Sequence, residues 1–227
     1  MSKGPDGCMD TLEWAKFVIR TRDENNYGAA MAILSSYASK GNDEAEFYLG
    51  LIYARGQGVP RDFRLARNWL ENASEQGNLN ATYFLGKIYV RGYGTEQNPA
   101  KAAELFEKPA ENGDPRAQYA LGLLYLDGNG VGRDLSKTFD LMSQSAKNGN
   151  IEAMFILGQL YKSGAGVEKD QKQSVRWLSS AAINGHKGAQ ILLGDMYETG
   201  DGVDMDHEEA GRWYDMADDK NRAAPAF

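Results

Sequence analysis

Cysteine and histidine are scarce in this chain: 227 residues include one cysteine, Cys8, and two histidines, His186 and His207. A single cysteine excludes an intrachain disulfide bond. No histidine stands near Cys8, and no apolar run precedes it, so we interpret it as an ordinary residue of a terminal segment rather than a reactive or lipid-bearing thiol. The histidines lack H-E-x-x-H spacing, and we interpret both as surface side chains.

Long apolar runs are also missing, as is an excess of positive charge. No stretch approaches the length of a membrane span, and the first residues lack the apolar core of a signal peptide. We therefore expect a cytoplasmic protein, or a periplasmic or secreted one if a signal peptide has been removed. The 25 basic residues are outnumbered by 32 acidic ones. This balance argues against nucleic acids and anionic membranes, which need clustered lysine and arginine.

The sequence patterns of common catalytic sites are absent. There is no G-x-S-x-G, no phosphate-binding loop and no paired-cysteine metal pattern. Acidic residues crowd the last part of the chain, but around Asp201 they do not follow the spacing of a calcium loop, so we interpret them as a solvated end. We expect no enzymatic activity, no cofactor and no metal. A small hydrolase is the remote alternative.

What the chain does have is a repeat. Leu-Gly-x-x-Tyr recurs at intervals of 36 residues, with its glycine at Gly50, Gly86, Gly122, Gly158 and Gly194. A fixed period of this size indicates stacked copies of one supersecondary unit, which form a solenoid. We interpret this glycine as a packing position, because the missing side chain lets another helix approach closely.

Each copy has the pattern of two helices. In the first full copy, Ala45, Leu49 and Ile52 follow the spacing of one helix face. A Gly-x-Gly loop then stops the helix, and Asp62 is suited to cap the next one. The same cap position recurs as Asn98, Asp134, Asp170 and Asp206. The pattern predicts about twelve helices and no sheet.

The repeat also predicts the domain organisation. Residues 10–21 and 27–40 form a degenerate N-terminal copy without the Leu-Gly-x-x-Tyr phrase, as end copies are often atypical. We expect one solenoid domain over 9–221, with tails at 1–8 and 222–227. Pro109 falls inside a predicted second helix, which it should bend or shorten.

Several fixed offsets together resemble a known family. Ala117 to Tyr125 reads AQYALGLLY, and the loop that follows leads to Asp134. This string is similar to the Sel1-like repeat, and Trp213-Tyr214 matches again. The resemblance implies a right-handed α/α superhelical solenoid of 36-residue helix–turn–helix repeats, related to tetratricopeptide arrays. It further implies adaptor, scaffold or regulatory roles in protein complexes, frequently in bacteria, and no catalysis.

A stripe along the first helices is the candidate binding surface. In two-helix repeats the first helices line the concave wall, and this stripe varies between copies. Its residues mix aromatic, aliphatic and charged side chains, as interface centres do. They are Tyr48, Leu51, Arg55, Phe84, Lys87, Arg91, Arg116, Leu123, Asp127, Ile156 and Gln159. Four positions are equally open to a core role, namely Tyr48, Phe84, Ile156 and Leu192.

Two functional hypotheses remain. In the first, the chain is a non-catalytic module, expected to be a monomer, that holds a peptide, loop or domain of another protein in the groove. In the second, it is an immunity or inhibitor protein that neutralises a bacterial toxin or secreted effector, since an acidic surface suits a basic target.

Overall fold

A computed structural model describes residues 11–218. These residues contain α-helices and one short 3-10 turn, Glu24–Asn26, and no strand. The predicted tails 1–8 and 222–227, and Cys8, lie outside the described residues. The helices are α1 (Thr11–Thr21), α2 (Tyr27–Ala38), α3 (Asp43–Arg55), α4 (Phe63–Glu75), α5 (Leu79–Arg91), α6 (Pro99–Glu111), α7 (Pro115–Asp127), α8 (Leu135–Lys147), α9 (Ile151–Ser163), α10 (Gln171–Ile183), α11 (Lys187–Thr199) and α12 (His207–Asp218).

The helices form two compact units, Met1–Pro109 and Ala110–Phe227. In the first unit, each helix from α1 to α5 packs on the next, and α3 also contacts α1 and α5. In the second unit, consecutive helices from α7 to α12 pack in the same way. This is the arrangement of an α/α solenoid, and it confirms the predicted all-α fold of two-helix repeats.

The predicted caps of the second helices are present. The Asp62 carboxylate accepts hydrogen bonds from the backbone N–H groups of Arg64 and Leu65, at 2.9 and 3.0 Å. The preceding helix α3 ends at Gly56, whose φ of 69° lies in the left-handed region that glycine enters at little cost. These local signals recur in every full copy and set the period of the fold.

The Leu-Gly-x-x-Tyr glycine has a fixed partner on the second helix of its own repeat. Any β-carbon added at this glycine would collide with the side chain twenty residues later in the chain. Glycine therefore provides the close helix contact that the sequence predicted. The five pairs are Gly50 with Leu70, Gly86 with Phe106, Gly122 with Met142, Gly158 with Leu178, and Gly194 with Tyr214.

The expected shortening at Pro109 is wrong. Helix α6 runs through Pro109 to Glu111 and has 13 residues, as many as α4. Pro109 stands in the last turn, where a missing backbone N–H removes only one hydrogen bond near the helix end. The division between the two compact units falls directly after this proline.

His186 is a helix cap, which corrects its interpretation as a plain surface histidine. Its Nδ1 accepts a hydrogen bond from the Ala189 backbone N–H at 3.0 Å, and its Nε2 lies 3.1 Å from Glu152 Oε2. The ring also stacks on Phe155, with centroids 4.2 Å apart. The other first helices carry Asn42, Asn78, Asp114 and Asn150 in this cap position.

We expect His186→Ala to lower the free energy of unfolding by about 1 kcal/mol, because the Ala189 N–H loses its acceptor. His186→Asn should retain most of the stability, since asparagine caps three of the equivalent helices. Urea unfolding of both variants measures the difference. Equal losses in the two variants would show that ring stacking on Phe155, and not the cap, is what matters.

Candidate protein-binding surface

The structure separates the residues of the predicted stripe by burial. Six side chains are exposed, namely Arg55, Lys87, Arg91, Arg116, Asp127 and Gln159. Three are half-buried, namely Phe84, Leu123 and Ile156, and Leu192 is half-buried too. Tyr48 and Leu51 are buried, with 9% and 6% of their surface exposed.

The burial of Leu51 corrects its predicted place in an exposed stripe, and the burial of Tyr48 favours the core role that the sequence left open for it. All eight residues from Ala45 to Ile52 are buried, so α3 is covered on every side. The helices of the degenerate N-terminal copy, α1 and α2, both pack against α3. Because that copy lacks the repeat phrase, the sequence did not show how fully it covers its neighbour.

An aromatic and basic patch lies on the first unit. The Phe84 ring lies 5.7 Å from the Phe47 ring and 5.4 Å from the Tyr83 ring, centroid to centroid. The Lys87 ammonium stands 5.5 Å from the Phe84 centroid and 5.7 Å from that of Tyr83. Arg91 follows one turn later and is exposed. Aromatic rings beside cationic side chains are the composition of energetically important interface positions.

A cleft of about 800 Å³ opens in the same unit, between the end of α1 and the loop after α3. Burial lowers the pKa of Arg55 below its ordinary value, and the nearby charge of Arg22 lowers it further, against the opposing effects of Tyr48 and Tyr27. Arg55 stands one repeat before Arg91, on the helix next to α5. The residues lining the cleft are Arg22, Glu24, Tyr27, Ala54, Arg55, Gly56, Gln57, Gly58 and Arg61.

In the second unit, the stripe residues are engaged within the fold. Arg116 binds the carboxylate of Asp114 through two of its nitrogens, at 3.0 and 2.6 Å. Burial tends to raise the pKa of Asp114, but the hydrogen bonds from Arg116 outweigh it and hold the pKa below its ordinary value. Leu123 and Ile156 pack against the buried core around Leu157. Asp127 and Gln159 are the exposed stripe positions there apart from Arg116.

A second cleft, of about 410 Å³, was not predicted from the sequence. It lies in the second unit and is lined in part by Phe139, Tyr161 and Trp177. Phe139 and Tyr161 meet edge to face, with centroids 5.3 Å apart. The recurrence of bulky residues on second helices was the only signal of this cleft, and that signal equally fits core packing.

The acidic last repeat holds its charges in ion pairs and on the surface. Asp201 binds Lys162 at 2.9 Å and accepts a hydrogen bond from Gln171 at 2.8 Å. The hydrogen bond from Lys162 is the main cause that lowers the pKa of Asp201. Within residues 11–218, no group of three or more His, Cys, Asp or Glu side chains is placed to hold a metal ion. None of the helices described is long and apolar enough to cross a membrane.

The fold and its stacked two-helix copies define a class, the α/α repeat proteins. The model of the Sel1 repeat matches residues 43–78, 79–114, 115–150, 151–186 and 188–217. These matches cover most of the chain, so the chain belongs to the Sel1 repeat family. No curated protein matches it in sequence.

Solved structures share this fold. A Sel1 repeat protein from Oxalobacter formigenes is 27% identical, with a TM-score of 0.83 over 91% of this chain and 84% of its own. A protective antigen of uropathogenic Escherichia coli strains with an SLR fold is 29% identical, with a TM-score of 0.83 over 92% of this chain. The chain spans only 48% of that antigen. An immunity protein from Pseudomonas aeruginosa is 19% identical, with a TM-score of 0.54 over 94% of this chain and 87% of its own, a likeness of fold alone.

Proposed function

We propose that this chain is a non-catalytic adaptor or regulator that binds a protein partner on the basic face of its first unit, the surface that carries the exposed stripe residues Arg55, Lys87 and Arg91. Sel1 repeats are generally protein-interaction modules. The observation that carries the proposal is the patch in which Lys87 lies over the half-buried rings of Tyr83 and Phe84, with Arg91 exposed one turn away. Aromatic and arginine side chains contribute most of the binding free energy measured in many protein interfaces.

The first unit is favoured over the second because its basic stripe residues lie exposed on neighbouring helices. Lys87 and Arg91 are exposed on α5, and Arg55 is exposed on α3. In the second unit, the Arg116 side chain is held by Asp114, and the apolar stripe residues pack on the core. The proposed face is basic although the whole chain carries a net charge of −7, so it suits an acidic segment of the partner.

An immunity or inhibitor function is the second candidate. It is supported by the exposed acidic side chains of the last repeat, which suit a basic toxin or effector. These include Asp195, Glu198, Asp204, Asp206 and Glu208. The two candidates use surfaces of opposite charge, so charge-reversal variants distinguish them, and rescue of cells from a toxin encoded by a neighbouring gene tests the second directly.

The test of the first candidate is the double variant Lys87→Glu/Arg91→Glu. The partner is captured from native lysate, identified by mass spectrometry and purified, and its affinity is measured by calorimetry. We expect the affinity of the double variant for the partner to fall at least tenfold, about 1.4 kcal/mol of binding free energy, because two attractive contacts become repulsive. The melting temperature should stay nearly unchanged, since both side chains are exposed.

The matched control is Arg64→Glu/Lys172→Glu, which makes the same change in net charge at exposed positions on second helices. Its affinity for the partner should equal that of the wild type. Equal affinity in the test variant would move the binding site elsewhere. Equal losses of affinity in the test and control variants would mean that net charge alone causes the effect, which would contradict a specific binding face.

A further inference from the structure

Arg22 stands in a backbone conformation that arginine rarely adopts. Its φ is 57°, and it is the only residue other than glycine with a positive φ among the described residues. It ends α1, in the place where α3 ends at Gly56 with a φ of 69°. Strain of this kind costs free energy and persists where the surroundings or the function require the residue. Glycine would relieve it, so the presence of arginine calls for an explanation.

Arg22 and Arg55 both line the cleft, and the side chain of neither makes an ion pair or hydrogen bond with another described residue. Burial lowers the pKa of Arg55, and the charge of Arg22 lowers it further. Other basic residues of α1 are paired: Lys16 binds Glu13 at 2.5 Å and Glu44 at 2.7 Å. Arg61 adds a third positive charge to the lining, against one acidic residue, Glu24, so the lining carries more positive than negative charge.

Gln57 supplies a second, independent observation at the same cleft. Its side chain is only 7% exposed, and its Nε2 donates to the Ile19 carbonyl at 3.2 Å and to the Tyr27 hydroxyl at 3.3 Å. Those contacts fix the orientation of the amide, because a flipped amide would point its oxygen at the Ile19 carbonyl. The buried Gln57 Oε1 is then left without a hydrogen-bond donor.

We propose that this cleft is a carboxylate-binding site that takes an acidic peptide segment of the partner. A carboxylate accepts hydrogen bonds from guanidinium groups with good geometry, and charge strengthens these bonds. A peptide also carries N–H donors next to its carboxylates, and one of them satisfies Gln57 Oε1 once the side chain, which lines the cleft, shifts to expose that oxygen. The inference rests on the proposed function, because Arg55 joins the cleft to the basic face that includes Arg91.

The test uses three short probes and nuclear magnetic resonance of the full chain. Acetyl-Gly-Glu-Glu-Gly-amide offers side-chain carboxylates, acetyl-Gly-Gly-Gly-Gly with a free C-terminus offers a terminal one, and acetyl-Gly-Gln-Gln-Gly-amide offers none. We expect saturable shifts of the Arg22 and Arg55 Nε–H signals and of the Gln57 side-chain amide with a carboxylate probe, and none with the neutral probe. The probe that binds identifies the source of the carboxylate.

Arg22→Gly is the decisive variant, because it removes the guanidinium and places glycine where the backbone favours it. We expect at least tenfold weaker binding of the carboxylate probe with an unchanged or raised melting temperature. Arg20→Ala is the control on the same helix, and its binding should match the wild type. The proposal is overturned if no carboxylate probe binds, if Arg22→Gly binds as well as the wild type, or if the neutral probe binds equally.

The failure of this inference and that of the proposed function are distinguishable. In one outcome, probe binding requires Arg22 but Lys87→Glu/Arg91→Glu binds the partner as well as the wild type. That result supports the carboxylate site in the cleft and contradicts partner binding on the basic face. In the other outcome, the double variant loses affinity for the partner but no probe binds the wild type. That result supports partner binding on the basic face and contradicts the carboxylate site.

Discussion

Replacing Gly166 with alanine is expected to destabilise the chain by about 3 kcal/mol or more, the largest effect that we predict for the addition of a single methyl group. Gly166 has a φ of 74°, and a β-carbon there would run into the carbonyl oxygen of Leu135, the first residue of α8. That obstacle is backbone, which cannot turn aside as a flexible side chain does. Chemical unfolding followed by circular dichroism measures the loss.

Gly164→Ala is the matched control for Gly166→Ala, two residues away in the same loop. Gly164 has a nearly identical φ of 75°, but the closest atom to an added β-carbon is Lys169 Cβ at 3.3 Å. We expect a loss of about 1 kcal/mol from the left-handed conformation alone. Equal losses for the two alanine variants would contradict the packing role of Gly166.

The contrast between Gly164 and Gly166 shows what the sequence could not separate. Both glycines of the loop recur every 36 residues, so periodicity alone assigns them the same role. In the structure, the first closes its own loop, and the second packs on the beginning of the second helix one repeat earlier. The pairs that show this are Gly58 with Tyr27, Gly94 with Phe63, Gly166 with Leu135 and Gly202 with Gln171.

The second large effect is expected for Gly86→Ala, with a loss of about 2 kcal/mol. An added β-carbon would lie 2.5 Å from a ring atom of Phe106, which is only 1% exposed. A buried aromatic ring cannot move without disturbing its neighbours. Alanine stabilises a helix by about 1 kcal/mol relative to glycine, but the cost of the clash with Phe106 is larger.

Gly122→Ala provides the comparison, because the equivalent obstacle is the terminal methyl of Met142 at 2.9 Å. A methionine end can rotate away, so we expect a change within about 1 kcal/mol of the wild type. Introducing Phe106→Met into Gly86→Ala should then cost less than the two single losses together. Additive losses of stability in this double-mutant cycle would show that the Phe106 ring does not limit the space for a side chain at position 86.

Local and periodic signals made most of the fold predictable. The helix pairs, the loop glycines and the cap at Asp62 follow from residues within one or two turns of each other, and the structure confirms them. The cap at His186 was missed although Asn150 stands one period earlier, because histidine is seldom a cap. Its position in the repeat was the signal that could have identified it.

The candidate site was less predictable because it depends on packing between copies. The exposure of Lys87 and Arg91 agrees with the predicted stripe, whereas Tyr48 and Leu51 are covered where the degenerate copy packs on α3. The strained conformation of Arg22 could not be read from the sequence either, since the loop of that copy is shorter than the loops of the full copies.

Hydrogen–deuterium exchange with and without the captured partner tests the central claim most directly, because it locates the partner without any substitution. The account predicts that binding slows exchange in the backbone around Arg55 to Gly58 and around Lys87 to Arg91. Both segments belong to the basic face of the first unit. Slower exchange confined to the acidic last repeat, around Asp195 to His207, would contradict the account and favour an inhibitor that recognises a basic target.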